Sequence, residues 1–176
     1  MRLERLNGSN IRYFDDALSL YENSFPREER RDMEELKRVL GNERYHFDFV
    51  LRGDTLCAIA FYWELDGLIF LEHLAVMENM RSLGVGTRIL DLLKEKNKTI
   101  VLEIEPPMDE ITERRYSFYK RSGFVMNPYY HIQAKYHVGD PDLELKILSY
   151  PKVLSEKVYK DFYEYMNKEI GAVSLR

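Results

Sequence analysis

The sequence predicts an α/β (α+β) chain, and three observations predict it. Residues 46–76 read as three strands joined by two tight turns, Gly53-Asp54 and Asp66-Gly67, the second a strong hairpin signal. Residues 68–105 then read as strand, glycine-marked loop, helix, strand, which suggests a parallel pairing through a right-handed crossover. Apolar residues recur at helical spacing near both ends of the chain, as Phe14, Ala17, Leu18, Tyr21 and Phe25, and again as Leu154, Val158, Phe162, Tyr165, Met166 and Ile170.

Taken in order, Arg2 to Leu6 is a short first strand. The helix carrying Phe14 to Phe25 is stopped by Pro26. Arg27-Glu28-Glu29-Arg30-Arg31 is a charged loop, and a second helix presents Met33, Leu36 and Leu40 on one face. The three strands of the meander are His46 to Arg52, Leu56 to Leu65 and Leu68 to Val76. A helix from about Val85 to Asn97 places Ile89, Leu92 and Leu93 at helical spacing. Thr99 to Glu105 is a strand cut off by Pro106-Pro107. A helix from about Glu110 to Ser122 begins with acidic residues, as the helix dipole favours, and ends at Gly123. Short strands follow from Phe124 and, after the turn Gly139-Asp140-Pro141, from Leu143 to Leu148. Ser155 is the N-cap expected for the terminal helix.

With 176 residues, 45% of them apolar, the chain suits one domain with a sizeable core. A net charge of −4 does not suggest general nucleic-acid binding, which wants a basic surface. One cysteine, Cys57, excludes an intramolecular disulfide and a cysteine-cluster metal site, and the four histidines lack zinc-protease spacing. No apolar h-region opens the chain and no apolar run approaches membrane-spanning length, so a cytoplasmic protein without membrane contact is the expectation.

The candidate for chemistry is the loop Arg81-Ser82-Leu83-Gly84-Val85-Gly86-Thr87, which follows a strand ending Leu74-Ala75-Val76. A helix N-terminus leaves its first N–H groups without intrahelical partners, and its dipole favours an anion there. Gly84 and Gly86 allow positive φ and close approach of a ligand to the backbone. A glycine pair alone is equally a tight strand-to-helix connection. Gly86 is followed by Thr87 and Arg88 rather than Lys and Ser/Thr, and position 89 is Ile, so neither a Walker loop nor a dinucleotide fingerprint is present.

The form Arg-x-x-Gly-x-Gly after Leu-Ala-Val resembles the acyl-CoA pyrophosphate loop of the GNAT superfamily of N-acyltransferases. A second block, Phe118-Tyr119-Lys120-Arg121-Ser122-Gly123-Phe124, resembles that family's FY-x-x-x-GF segment, in the family's order and at its spacing. The resemblance implies a mixed, strongly twisted, mostly antiparallel sheet of about six to seven strands flanked by helices. One GNAT-like domain would span 1–150, with a helix over 151–176 packed on it. It implies acetyl-CoA as co-substrate, with its pantetheine arm along backbone groups of Leu74 and Val76 where two strands splay apart. The pyrophosphate would sit on N–H groups around Leu83 to Thr87, with charge added by Arg81 and Arg88.

Acyl transfer to an amine requires removal of an ammonium proton, polarisation of the thioester carbonyl, and protonation of the departing thiolate. By strand alternation Glu72 shares a face with Leu74 and Val76, and His73 points to the other. Glu72 is the family-implied base, with His73 the runner-up; on the residues alone Glu72 is equally an exposed strand carboxylate. Tyr119 holds the position of the family's general acid, and the Leu74 N–H that of the carbonyl polariser. Arg27, Glu28, Glu29 and Arg30 form either a solvated loop or, as the resemblance implies, a wall of the acceptor site. Glu103 and Glu105 share a strand face and with Glu72 would suit a cationic amine. Tyr130, His131, Gln133 and Tyr136 would close the acceptor side. The expected activity is transfer of an acetyl group to a primary amine of a small molecule or peptide by direct ternary-complex reaction, with no metal. The alternative is a domain that binds acyl-CoA without catalysis, in a regulatory or interaction role. The terminal helix either packs on the sheet or forms a homodimer contact.

Overall fold

The computed structural model describes residues 1–171, with side chains through 170. The chain divides into two compact units, Met1–Pro26 with Leu36–Ile100, and Arg27–Glu35 with Val101 onward.

In the first unit β1 (Arg2–Arg5), β2 (Tyr45–Arg52), β3 (Thr55–Leu65) and β4 (Leu68–Val76) pair antiparallel in chain order. The strands form because β-branched and aromatic residues alternate across the pleat, so each face buries a row of large side chains. Phe47 opposes Phe61 and Tyr45 opposes Trp63 across β2 and β3. Their rings meet at 3.9 and 5.0 Å. Helix α1 (Phe14–Ser24) covers this face, stacking Phe14 on Phe47 and tilting Tyr21 against Phe61. The opposite face carries polar residues. His46 stacks on Tyr62 at 4.4 Å, and the Tyr62 hydroxyl donates to Asp48 at 3.0 Å. Just after helix α3 (Val85–Lys94), Lys96 lies over the Tyr62 ring.

Two bulges interrupt the pairing. Val50 faces Ala58 but Leu51 faces Leu56, which leaves Cys57 as the extra residue. Phe61 faces His73 but Tyr62 faces Leu71, which leaves Glu72 as the extra residue. A bulge inserts one residue and re-aims the side chain there. Cys57 is fully buried, as expected for a packed thiol.

In the second unit β5 (Thr99–Ile104) lies beside β8 (Glu144–Tyr150), which also pairs antiparallel with β6 (Val125–Met126) and β7 (His131–Ile132). Helix α4 (Glu110–Arg121) opens on a capping box. Asp109 accepts from the Ile111 and Thr112 N–H groups, and Thr112 accepts from the Asp109 N–H. It closes at Gly123, whose φ of +85° favours glycine and where a Cβ would meet the Tyr150 ring at 3.3 Å. Helix α5 (Glu156–Gly171) starts at Ser155, whose hydroxyl accepts from Val158 N–H at 3.3 Å. Leu154, Phe162, Met166 and Ile170 of its predicted stripe are buried, while Val158 is 40% exposed. Helix α2 (Met33–Leu40) buries Leu36 and Val39. The expected charged loop before it is a short 3-10 turn over Arg27–Glu29, tied down by Arg27 on Asp140 (3.2 Å) and by His137 Nε2 at the Arg27 and Arg30 carbonyls (3.1 and 3.0 Å). Asp32, Glu35 and His137 put one ligand-type atom each within 4.8 Å of one another. The Asp32 carboxylate accepts from the Glu35 N–H at 2.9 Å, and this cap together with the His137 contacts accounts for their proximity.

Other boundaries move only slightly. The helix expected to reach Asn97 ends at Lys94, and Asn97 takes a left-handed φ of 56°. No helix among the described residues is long and apolar enough to cross a membrane.

Glu64 at the end of β3 receives Lys96 at 2.7 Å and Lys98 at 3.0 Å. Burial pushes its carboxyl up, but the two ammonium groups outweigh this and hold it at about 2, against an ordinary 4.5. A carboxyl depressed in the folded state contributes stability that is complete above the unfolded value and is lost as pH falls through the folded one. Allowing for solvent screening, the contribution is on the order of 1 kcal/mol. Urea denaturation should therefore find Glu64→Gln about 1 kcal/mol less stable than wild type at pH 7. The gap should close as pH drops from the ordinary range toward the depressed value; a gap that persists there would place the effect in packing.

Candidate active site

The loop between β4 and α3 is built by local backbone rules. Met77 leads into a short 3-10 turn over Glu78–Met80, closed by Arg81 N–H on the Glu78 carbonyl. The Arg81 Nε donates to the Val76 carbonyl at 3.3 Å and ties the loop to the strand end. Ser82 and Gly84 both sit at positive φ, 63° and 73°. Gly84 is the N-cap and has no side chain to offer. The first α-helical hydrogen bond there runs from Arg88 N–H to Gly84 O, so Val85, Gly86 and Thr87 present the N–H groups that the helix itself leaves over. No side chain caps this terminus, and its first turn holds no acidic residue. The positive end of α3 is therefore left for an anion from outside. Arg81, Ser82, Leu83, Gly84 and Thr87 are exposed, whereas Val85 is buried as an anchor. One expectation is corrected here. Gly86 lies in the first turn of α3 with helical backbone, so the left-handed positions are Gly84 and Ser82. Ser82 gives no sequence signal, because a non-glycine residue at positive φ is set by the turn around it.

Upstream in β4, the bulge breaks the strict alternation at the two candidate bases, Glu72 and His73, and both side chains are buried. Glu72 is not an exposed strand carboxylate, since its side chain is 1% exposed. Leu74 and Val76, opposite Ala60 and Ala58, are half-buried, and across the bulge alternation no longer assigns Glu72 to their face. His73 lies in a cage of rings, with Phe25 at 4.6 Å, Tyr21 at 4.8 Å and Phe61 at 6.2 Å. Its Nδ1 is 3.8 Å from Glu72 Oε2. Ala75 is buried, so this strand offers a ligand its main chain there rather than that side chain.

The second unit holds the remaining candidates. Tyr119 lies against Phe118 at 4.9 Å and edge-on to Phe124 at 5.7 Å. Burial pushes its phenol up to about 12, opposed by the Arg115 guanidinium. Glu105 is paired with Arg115. Glu103 meets His131 Nε2 at 2.5 Å, and His131 Nδ1 meets the Tyr159 hydroxyl at 3.0 Å. Burial raises the Glu29 carboxyl; Arg115 lowers it, and Glu103 and Glu28 raise it further, so these groups share one electrostatic neighbourhood. Glu28 is exposed and Tyr130 is 72% exposed. Arg27 has given one nitrogen to Asp140. Gln133 and Tyr136 are buried, the latter beneath the Arg31 guanidinium at 5.1 Å. Sequence reasoning grouped His131 with the acceptor side but missed Tyr159, which appeared only as one of many tyrosines on a terminal helix.

Comparison with known proteins bears on this arrangement. A model of the acetyltransferase (GNAT) family matches residues 11–124. The Bacillus subtilis protein YjbC, provisionally named as an acetyltransferase, is 35% identical over 102 residues, 57% of this chain and 52% of its own length, so the chain spans about half of that relative. A solved protein of Bacteroides thetaiotaomicron, provisionally placed in the GNAT family, superposes with a TM-score of 0.88 at 28% identity, over 96% of this chain and 97% of its own. An aminoglycoside 6′-N-acetyltransferase solved with coenzyme A superposes with a TM-score of 0.61 at 17% identity, over 85% of this chain and 96% of its own; at that identity the likeness shows the fold alone. The α/β class read from the sequence agrees with eight strands and five α-helices among the described residues. The glycine loop and the Tyr119 block both fall inside the matched span, and the chain belongs to the GNAT family of acetyltransferases.

Proposed function

We propose that the chain moves an acetyl group from acetyl-CoA to a primary amine of a small molecule or peptide, by direct transfer in a ternary complex. The observation that carries this reading is the N-terminus of α3, which has no side-chain cap, has no acidic residue in its first turn, and is entered through Gly84 in the left-handed region. Backbone N–H groups from Leu83 to Thr87 hold the pyrophosphate, with Arg81 and Arg88 adding charge. Main-chain groups of Leu74 and Val76 bind the pantetheine amides, in the manner of an added strand.

Glu72 takes a proton from the acceptor ammonium, and the freed amine attacks the thioester carbonyl. The Leu74 N–H polarises that carbonyl. The attacking nitrogen gives up its second proton as the carbon–sulfur bond breaks, and the departing thiolate takes up that proton beside the Tyr119 hydroxyl. A phenol held at about 12 is a weaker acid than an ordinary thiol at about 8.5. Tyr119 therefore acts first as a hydrogen-bond donor to the developing thiolate, and the Arg115 guanidinium eases any passage of the proton. Arg27, Glu28, Glu103, Glu105 and Tyr130 face the acceptor.

Two variants test the halves of this reading. Thr87→Asp places a carboxylate in the first turn of α3. It should stabilise the fold by about 0.5 kcal/mol through the helix dipole. Calorimetric titration should show acetyl-CoA affinity falling about tenfold in the same protein. Affinity that holds while stability rises would move the phosphate away from α3.

Glu72→Gln should lower kcat by at least about 100-fold, as loss of a general base does. Acetyl-CoA binding should stay within about twofold of wild type, because the base does not hold the cofactor. Tyr119→Phe should lose about tenfold in kcat with the amine KM unchanged. A wild type that binds acetyl-CoA yet acetylates no amine would favour the non-catalytic acyl-CoA-binding reading.

A further inference from the structure

Glu103, half-buried, lies against a line of hydrogen bonds that leads into the terminal helix. The Tyr159 hydroxyl donates to the Tyr130 carbonyl at 3.0 Å. A hydroxyl has one hydrogen, so the Tyr159 oxygen meets His131 Nδ1 as an acceptor, and Nδ1 carries a proton. In a neutral ring that leaves Nε2 with a lone pair. Nε2 lies 2.5 Å from Glu103 Oε1, an atom that also presents lone pairs. The contact is attractive only with a proton between them, on the ring or on the carboxyl. His131 is 2% exposed, so the position of its ring does not depend on solvent. Tyr159 is fixed in turn by stacking on Tyr129 at 4.1 Å and 7°, and Tyr129 donates to the Leu154 carbonyl at 2.8 Å. Tyr163, one turn further along α5, closes edge-on over the His131 ring at 5.3 Å.

We propose that α5 is part of the acceptor site, with His131 and Tyr159 as positioning residues that hold the Glu103 carboxylate in one orientation toward a cationic primary amine. This rests on the N-acetyltransferase reading. Oε1 is committed to the ring, and Oε2 is the oxygen that receives the ammonium. Because the pair holds a proton and is neutral as a whole, recognition depends on the direction of an N–H bond more than on net charge. No bond other than hydrogen bonds changes in this step.

The test uses the full chain, acetyl-CoA, and three probes: spermidine, 1,4-diaminobutane and L-lysine. His131→Leu should raise the KM of the accepted amine about tenfold, with kcat and the acetyl-CoA dissociation constant within about twofold of wild type. His131→Gln, whose amide N–H can still reach the carboxylate, should recover most of that loss. Tyr159→Phe keeps the stack on Tyr129 and removes only the hydroxyl, and should raise the same KM about threefold. An unchanged amine KM in both Tyr159→Phe and His131→Leu would overturn the proposal. So would a KM that rises only together with the acetyl-CoA dissociation constant, or a His131→Gln variant no better than His131→Leu. If His131→Leu does not fold, Tyr159→Phe and His131→Gln decide alone. A wild type that binds acetyl-CoA and acetylates none of the three probes also overturns it. A wild type with no affinity for acetyl-CoA instead removes the underlying activity.

Discussion

The slip of one residue between β3 and β4 is the constraint on which the chemistry proposed for the first unit depends. Up to Leu71 the strand buries both of its faces, as a central strand does. The extra residue at Glu72 breaks the alternation there, and a buried carboxylate and a buried imidazole come within 3.8 Å of each other. His73 fills a slot among Tyr21, Phe25 and Phe61. Burying two polar side chains this way costs stability. The strand tolerates it because β2 and β3 are joined by direct aromatic pairs, Phe47 on Phe61 and Tyr45 on Trp63, each adding to the burial of large rings. A bulge kept at this cost beside a loop suited to an anion is consistent with a carboxylate placed for use.

The bulge also explains why pattern reading left the two candidate bases undecided. Alternation puts residues 72 and 73 on opposite faces of a regular strand, but a bulge breaks that rule and leaves no mark in the sequence. Only the ring cage from α1 decides that His73 belongs to the core. By contrast, β4 was legible residue for residue, since Leu68 follows the Asp66-Gly67 turn and Val76 precedes the glycine loop. The cap of α3 was half legible. Gly84 declares a left-handed position, but Ser82 shares that conformation without any compositional mark. Gly86 was assigned a freedom it does not use, because glycine in a first helical turn and glycine in the loop before it look alike in sequence.

Long-range contacts were the other limit. Charged residues from 27 to 31 read as a solvated loop or an acceptor wall, yet Arg31 is 2% exposed and Arg27 ties down Asp140, more than a hundred residues away. The stripe of α5 was visible from its spacing. Its role was not, because Tyr159 lies beside that stripe and meets partners in the segment around Tyr129, Tyr130 and His131. No local rule joins positions 28 or 29 residues apart.

Charge compensation changes how each carboxylate proposed for the acceptor side is understood. Counting carboxylates, Glu72, Glu103 and Glu105 suggested an acidic cluster that attracts a polyvalent cation. Each instead has a basic neighbour: His73 near Glu72, His131 against Glu103, and Arg115 on Glu105. A compensated carboxylate attracts charge at a distance only weakly, but it remains a good acceptor at contact, with its direction fixed by its partner. Removing such a partner does more than subtract one charge, because the remaining group is then buried without compensation. Discrimination at a compensated site follows from whether the ligand can satisfy an oriented acceptor: an amine lacking the required N–H leaves that acceptor desolvated, which is penalised more heavily than an imperfect hydrophobic fit. Under the proposed acceptor site, the terminal helix, by holding His131 through Tyr159, would contribute to the choice of acceptor as well as to the burial of apolar surface.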